Sequence, residues 1–253
     1  MYYDIQRASL SRRLPAWLLD IILLVTLATG LMAGLSYVLD MDTHQKALDE
    51  VYVRYEQEFG IDFETTPEQF EAMTEEDLAK YEAASEALSK DTEAQKTYEM
   101  ILNLTLITLS GGILGAFLIL EFFIPLWLKN GQTLGKKVFG VALMRKDGVK
   151  VTPFMMFVRT ILGKYTLETM IPVLLAVTVF FGIMGIEGLM GIGLVLLLQV
   201  VITFATRNKT DIHDLLACTV AVDLSSQMIF DSPEALLEYQ KQLHADIARE
   251  ADY

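Results

Sequence analysis

Long apolar stretches alternate with polar segments along this chain. Residues 14–39 and 100–128 are each apolar over more than the ~20 residues with which an α-helix crosses a bilayer. Residues 170–206 are nearly all apolar and too long for one crossing, and the glycine-rich run 182–188, with Glu187 at its tip, divides them into two helices. The pattern predicts an all-α integral membrane protein with about four transmembrane helices. The first is too long for a signal-peptide core and is expected to remain uncleaved.

The polar segments predict three further kinds of element. Residues 40–99 are expected to be helical, because two threonines each precede a run with a capping acceptor three positions later. Residues 154–168 mix apolar side chains with three charges, which is typical of an amphipathic helix at the membrane interface. The Asp-Gly pair at 147–148 lies between two β-prone runs and predicts a small β-hairpin. Ser232 begins a last amphipathic helix.

These patterns divide the chain into six segments. In chain order they are an N-terminus with the first transmembrane helix, a helical insert, the second transmembrane helix, a polar loop with the hairpin and interfacial helix, a transmembrane helical hairpin, and a C-terminal segment with an amphipathic helix. Their bounds are 1–39, 40–99, 100–128, 129–169, 170–206 and 207–253.

The charge of the chain is concentrated in the insert. The net charge is −13, and residues 40–99 carry 18 acidic and 5 basic residues, so the rest of the chain is neutral overall. Mean hydropathy is +0.37, which fits a membrane protein. The sequence shows no basic patch of the kind that binds nucleic acid.

The basic residues near the apolar stretches predict the orientation. They lie in residues 7–13, 129–164 and 207–209, which share one side of the membrane if four helices cross it. Lys and Arg are retained on the cytoplasmic side. We therefore expect a multi-pass protein of the cell membrane with both termini and the hairpin in the cytoplasm, and with an extracytoplasmic insert.

Two carboxylates lie inside predicted transmembrane helices. Asp20 is in the first and Glu121 in the second, and ionisable groups at membrane depth are candidates for function. Arg13 lies two helical turns before Asp20 and is its candidate partner. Two interpretations stay open for both carboxylates: they bind a cation or relay a proton, or they form ion pairs that hold helices together.

A third carboxylate, Asp214, is expected at the cytoplasmic interface. Arg159 and Arg207 are alternative partners for it. The same two interpretations apply, and here an ion pair between helices is favoured over ion or proton binding.

Nothing in the sequence indicates an enzyme, a cofactor or a metal centre. His213 and Asp214 are adjacent, but neighbouring residues of a helix point ~100° apart, so the pair is interpreted as structural. The only cysteine, Cys218, can form no disulfide within the chain. Residues 131–137 differ from a phosphate-binding loop in glycine spacing and in lacking Ser or Thr after the lysine.

Three stretches, taken together and in order, resemble the RDD family, named for one arginine and two aspartates. They are residues 12–20, residues 131–141 followed by 147–148 and Arg159, and residues 211–222. By this resemblance Asp20 and Asp214 are the two aspartates. The arginine is Arg12 or Arg13, and the seven-residue spacing to Asp20 favours Arg13. The further motif positions are Gly131, Thr133, Gly135, Lys136, Gly140, His213 and Thr219. Cys218 stands where the family often has glycine.

The resemblance implies a polytopic bacterial membrane protein. Transport is often suggested for the family, and cation/proton exchange is proposed for some members. The leading hypothesis is therefore transport of a small ion or solute, with exchange of a monovalent cation for protons as its specific form. Four helices enclose little space, so a homo-oligomer is expected for transport. The alternative is a membrane scaffold or binding protein that uses residues 40–99 to bind a protein partner.

Overall fold

The computed structural model describes residues 5–128, 130–206 and 211–251, and within these ranges the chain is mostly helical. Four helices come first: α1 (Leu10–Val38), α2 (Met41–Phe59), α3 (Pro67–Glu71) and α4 (Glu75–Lys90). A long helix follows as α5 (Thr92–Phe117), a π-helical stretch π1 (Leu118–Phe123) and α6 (Ile124–Trp127). The remaining elements are α7 (Leu134–Val138), β1 (Val141–Arg145), α8 (Pro153–Phe157), a second π-helical stretch π2 (Val158–Met170), α9 (Ile171–Phe180), α10 (Ile186–Ala205), α11 (Ile212–Leu216), β2 (Thr219–Asp223) and α12 (Pro233–Ala251).

Three of these helices are long and apolar enough to cross a membrane. They are Leu10–Val38, Thr92–Trp127 and Pro153–Phe180, and a shorter apolar helix, Ile186–Ile202, accompanies them. Most of their large apolar side chains are not buried inside the protein, which fits contact with lipid. The prediction of an all-α membrane protein is confirmed.

The third long helix corrects one boundary. Residues 154–168 were expected to form a separate interfacial helix before a crossing that starts at 170, but α8, π2 and α9 run on without a break. The separate helix was predicted because of the charges on residues 159, 164 and 168. Those side chains form ion pairs inside the protein, so they do not require water. The predicted turn follows this helix, with Gly182 at φ +68°, and Glu187 lies in the first turn of α10 rather than at the tip.

The chain forms two compact units, Thr29–Gly112 and Met1–Ala28 with Ile113–Tyr253. The first unit contains α2, α3 and α4, so the prediction that the insert is helical is confirmed. Its rings form edge contacts, with Tyr81 packing against both Phe63 and Phe70 at 5.6 and 5.3 Å between centroids. Contacts between partly exposed rings therefore join the helices of the insert.

A two-stranded antiparallel sheet lies in the other unit. Strand β1 pairs with β2 in a register that places Val141 opposite Asp223 and Arg145 opposite Thr219. The predicted hairpin turn is present as a single bridge between Met144 and Lys150. The longer pairing, with residues 219–223, was not predicted. Both faces of each strand are buried, so neither strand shows the alternating pattern that marks a sheet with one exposed face.

Candidate functional site: a buried network of charged side chains

The second unit contains a buried ion pair between π2 and α11. The Arg159 Nε donates to Asp214 Oδ1 at 2.7 Å, and both residues are almost fully buried, with 1% and 2% of their surface exposed. Thr219, the first residue of β2, donates its hydroxyl to the same oxygen at 2.8 Å. Burial alone would raise the pKa of Asp214, but attraction to Arg159 outweighs it, so the pKa of this carboxyl lies far below its usual range.

His213 links this pair to Glu168. The Arg159 Nη2 lies 3.0 Å from His213 Nε2 and can only donate, so Nε2 accepts. The proton of the neutral ring is then on Nδ1, which donates to Glu168 at 2.8 Å. The backbone N–H of His213 also donates to Glu168, at 3.0 Å. Both ring nitrogens are occupied, and the neighbouring groups fix the tautomer.

Glu121 in π1 forms a second buried pair. Lys164 donates to its Oε2 at 2.6 Å, and Thr160 donates its hydroxyl to the Glu121 backbone carbonyl at 2.9 Å. Arg159 Nη1 lies 3.9 Å from the same Oε2, too far for a hydrogen bond. Within the described residues this buried nitrogen has no hydrogen-bond partner. Arg159 thus connects both pairs and has an unused donor facing Glu121.

The π-helical geometry of π2 brings its charges to one side. In an α-helix, Arg159 and Lys164 would lie about 140° apart around the axis, because each residue turns ~100°. With hydrogen bonds five residues apart, each turn is wider, and both side chains reach Glu121. Gly163 allows the close approach of α11: a Cβ there would lie 2.5 Å from the Cβ of His213.

Asp20 binds a loop rather than the partner offered from sequence. Its carboxylate accepts hydrogen bonds from the Thr133 hydroxyl and from the backbone N–H of Gly135, the latter at 2.8 Å. Gly135 is required there, since a Cβ would lie 2.2 Å from the backbone oxygen of Ala16. Arg13 instead lies 3.7 Å from Asp211. The Asp20 carboxylate therefore holds α1 against the start of α7.

The other candidate arginines are also placed, with one exception. Arg12 forms an exposed pair with Asp223 at 2.8 Å. Arg207, the alternative partner of Asp214, lies outside the described residues.

Lys136 follows the loop that binds Asp20. It is half-buried, and its ammonium group forms one long hydrogen bond. Its Nζ lies 3.5 Å from Thr133 Oγ1, and no carboxylate of the described residues lies within 4.0 Å of it. Burial and repulsion by Lys164 and Arg159 lower the pKa of Lys136 to about 8, against attraction by Glu121 and Asp20. The loop thus brings a titratable ammonium group into the electrostatic range of the Glu121 pair.

Three side chains have the composition of a metal site. One ligand atom from each of Asp211, His213 and Asp214 lies within 4.8 Å of the others. However, Arg159 donates to His213 Nε2 and to Asp214, so a cation at these atoms would first have to displace a buried guanidinium. The arrangement is that of a closed ion-pair network.

Two motif positions and Cys218 have backbone conformations that favour glycine. Gly131 and Gly140 have φ of +61° and +66°. Cys218 has φ +52°, the same left-handed region, although it is not glycine. The backbone at position 218 therefore favours glycine.

Two charged residues of the network, Lys164 and Glu168, were not among the residues singled out from sequence. Their charges are typical of a helix at the membrane interface. A signal for these two residues is present in the sequence. Three charged residues lie within ten positions of a mostly apolar stretch, and Glu121 is an isolated charge in a second apolar stretch that could pair with one of them.

Comparison with known protein families gives a match over most of the chain. The model of the RDD family matches residues 7–218, which includes every charged residue of the network. No curated protein and no solved structure matches the chain.

Proposed function

The chain belongs to the RDD family, and we propose that it is a transporter that exchanges a small monovalent cation for protons across the cell membrane. It acts without enzyme chemistry and without a cofactor. Glu121 is the proposed ion site, with Asp20 and Asp214 as further carboxylates of the same network. The proposal goes beyond family membership and membrane-length helices, and rests on the chemistry of the buried charges.

The observation that supports it most is the Glu121–Lys164 pair in two membrane-length helices. Its atoms are 2.6 Å apart, and Glu121 is 4% exposed. Placing charges at membrane depth is costly, and two apolar helices have no structural need for them. Arg159 adds a third charge with an unused donor toward the same carboxylate.

The pair suggests how exchange occurs. A carboxylate that is neutralised by an ammonium group can also be neutralised by a proton or a monovalent cation. When either one replaces Lys164 at Glu121, the hydrogen bond between these two side chains is lost, while the one from the Thr160 hydroxyl to the Glu121 backbone carbonyl remains. The contact between π1 and π2 is then weakened. The Arg159–Asp214 and His213–Glu168 pairs hold π2 on α11 throughout, because they do not include Glu121.

We also propose an orientation and an assembly. The positive-inside rule places both termini and the 129–152 loop in the cytoplasm, and the insert outside. Few helices are available to enclose a path, so a homo-oligomer would form it.

Ion flux in sealed vesicles tests the proposal. Proteoliposomes that contain only this protein and hold a preset pH gradient should lose it when NaCl or KCl is added, but not when choline chloride is added. Glu121→Gln should abolish this loss, because the glutamine has no charge to exchange. Asp223→Asn should retain it, because it alters the exposed pair with Arg12 outside the network and keeps an oxygen that can accept from Ser225. Wild-type flux equal to that of empty vesicles, or unchanged flux in Glu121→Gln, would refute the proposal.

A second function is favoured by the insert. Its aromatic contacts make it a packed unit, which a minimal transporter does not require. In this alternative the protein is a scaffold that binds a basic protein partner through the acidic surface of residues 40–99. Crosslinking of the full chain in membranes should then trap one defined protein at the insert, and reversing several of its exposed acidic residues should abolish the product. Unchanged crosslinking in the reversed variant would argue against this role.

A further inference from the structure

We propose that Lys136 is the proton-releasing group of the exchange: a cation that enters near Asp20 and Glu121 takes over the positive charge that the Lys136 ammonium otherwise supplies. This inference rests on the proposed exchange function and names the residue that couples the two ions.

The first support is the position of Lys136 outside the apolar helices. It belongs to α7, a short helix between the second and third long helices, and is partly buried, as Lys164 also is. Lys164, by contrast, lies in the third long helix, and its ammonium group is 2.6 Å from the Glu121 carboxylate. Of these two lysines, Lys136 is the one that can lose a proton without breaking a short ion pair.

The second support is the weak hydrogen bonding of the Lys136 ammonium group. Its Nζ has one hydrogen-bond partner among the described residues, Thr133 Oγ1 at 3.5 Å. That hydroxyl already donates to Asp20. An ammonium group has three N–H donors, so most of its hydrogen-bonding capacity is not used by the described residues. Lys136 can therefore give up its proton or move while the loop keeps its fold.

The third support is the set of charges around it. Asp20 of α1 and Glu121 of π1 attract the ammonium, while Arg159 and Lys164 of π2 repel it. These charges and burial lower the pKa of Lys136 to about 8, so the group is mostly protonated at pH 7 but close to titration. A second positive charge nearby lowers this pKa further and releases the proton.

The step balances in charge and atoms. The cation arrives, one N–H bond of the ammonium breaks, its electron pair stays on nitrogen, and the proton passes to water. The local charge is the same before and after. One proton therefore leaves for each cation that binds.

Proton release on cation binding tests this assignment. The full chain in lipid nanodiscs in weakly buffered solution should acidify it when NaCl or KCl is added, relative to choline chloride. Release should approach one proton per bound cation at pH 7. It should be much smaller at pH 9, where Lys136 is mostly neutral.

Two variants separate coupling from folding. Lys136→Gln removes the titratable group. The variant should still bind the cation, with proton release reduced at least tenfold. Lys136→Arg keeps a permanent charge and should weaken cation binding at least tenfold. The matched controls Lys137→Gln and Lys137→Arg alter the exposed neighbour and should behave as wild type.

The outcomes distinguish the two proposals. Wild-type proton release in both Lys136 variants, together with normal vesicle flux, would overturn the role of Lys136 and leave exchange standing. Absence of both cation-dependent proton release and vesicle flux in the wild type would overturn both. A variant that elutes as an aggregate is replaced by Lys136→Met, which should reproduce the result for glutamine.

Discussion

Replacing Asp214 with asparagine should destabilise the protein substantially. The substitution keeps the size of the side chain and removes the charge that neutralises Arg159, whose Nε is 2.7 Å away and which is 1% exposed. Removing one partner of a buried ion pair costs about 3–5 kcal/mol. Glu121, 3.9 Å from Nη1, retains part of the compensation, so we expect about 3 kcal/mol, the lower end of that range.

Thermal unfolding of the full chain in detergent measures this effect. A loss of about 3 kcal/mol corresponds to a Tm about 6–12 °C lower for a chain of this size. The matched control Asp223→Asn also removes an aspartate from an arginine pair, but Arg12 there is 46% exposed, so little change is expected. Adding Arg159→Met to Asp214→Asn should recover part of the loss, because no unpaired guanidinium then remains buried.

The pH dependence gives an independent check. The pKa of Asp214 is far lower in the folded protein than in an unfolded chain. The contribution of Asp214 to the free energy of unfolding is therefore fully present above its pKa in the unfolded chain. It is lost as the pH falls through its pKa in the folded protein. The Tm difference between wild type and Asp214→Asn should stay constant between about pH 5 and pH 8 and shrink only in stronger acid. A variant as stable as the wild type at neutral pH would refute the reasoning.

Three further predictions follow from individual positions. Gly163→Ala should lower the Tm by several degrees in the same unfolding assay, because the added Cβ meets that of His213 at 2.5 Å; an unchanged Tm would contradict the packing of π2 on α11. Cys218→Gly should leave the Tm unchanged or raise it slightly, since φ is +52°, whereas Cys218→Val should lower it. In the Cys218→Gly background, cysteines placed at the exposed positions Glu68 and Lys137 should react with an impermeant thiol reagent from opposite sides of the membrane; labelling from one side would refute the orientation.

The membrane helices were predictable because hydrocarbon thickness sets their length. An apolar run of that length is visible in the sequence whatever it packs against. The extent of the third helix was not predictable, because the charged residues 159, 164 and 168 suggested a segment exposed to water. Only the partners across the fold, Glu121 and Asp214, show that the charges of π2 are satisfied inside.

The sequence predicted only some of the side-chain pairings within the site. The sequence offered two arginines for Asp214, and the structure shows Arg159 at 2.7 Å. For Asp20 it offered Arg13, yet two helical turns separate these residues by about 10 Å along the axis. The oxygens of Asp20 are instead occupied by the loop at Thr133, more than 100 positions later in the chain. Spacing along one helix cannot indicate such a contact.

Cation uptake driven by a proton gradient tests the central claim most directly. Proteoliposomes with an acidic lumen are mixed with labelled sodium or rubidium ions at neutral pH, and trapped label is counted over time. The account predicts uptake by the wild type that stops when the gradient is collapsed, persists in Asp223→Asn and is absent in Glu121→Gln. Equal uptake by wild-type and Glu121→Gln vesicles, or none by the wild type, would contradict it.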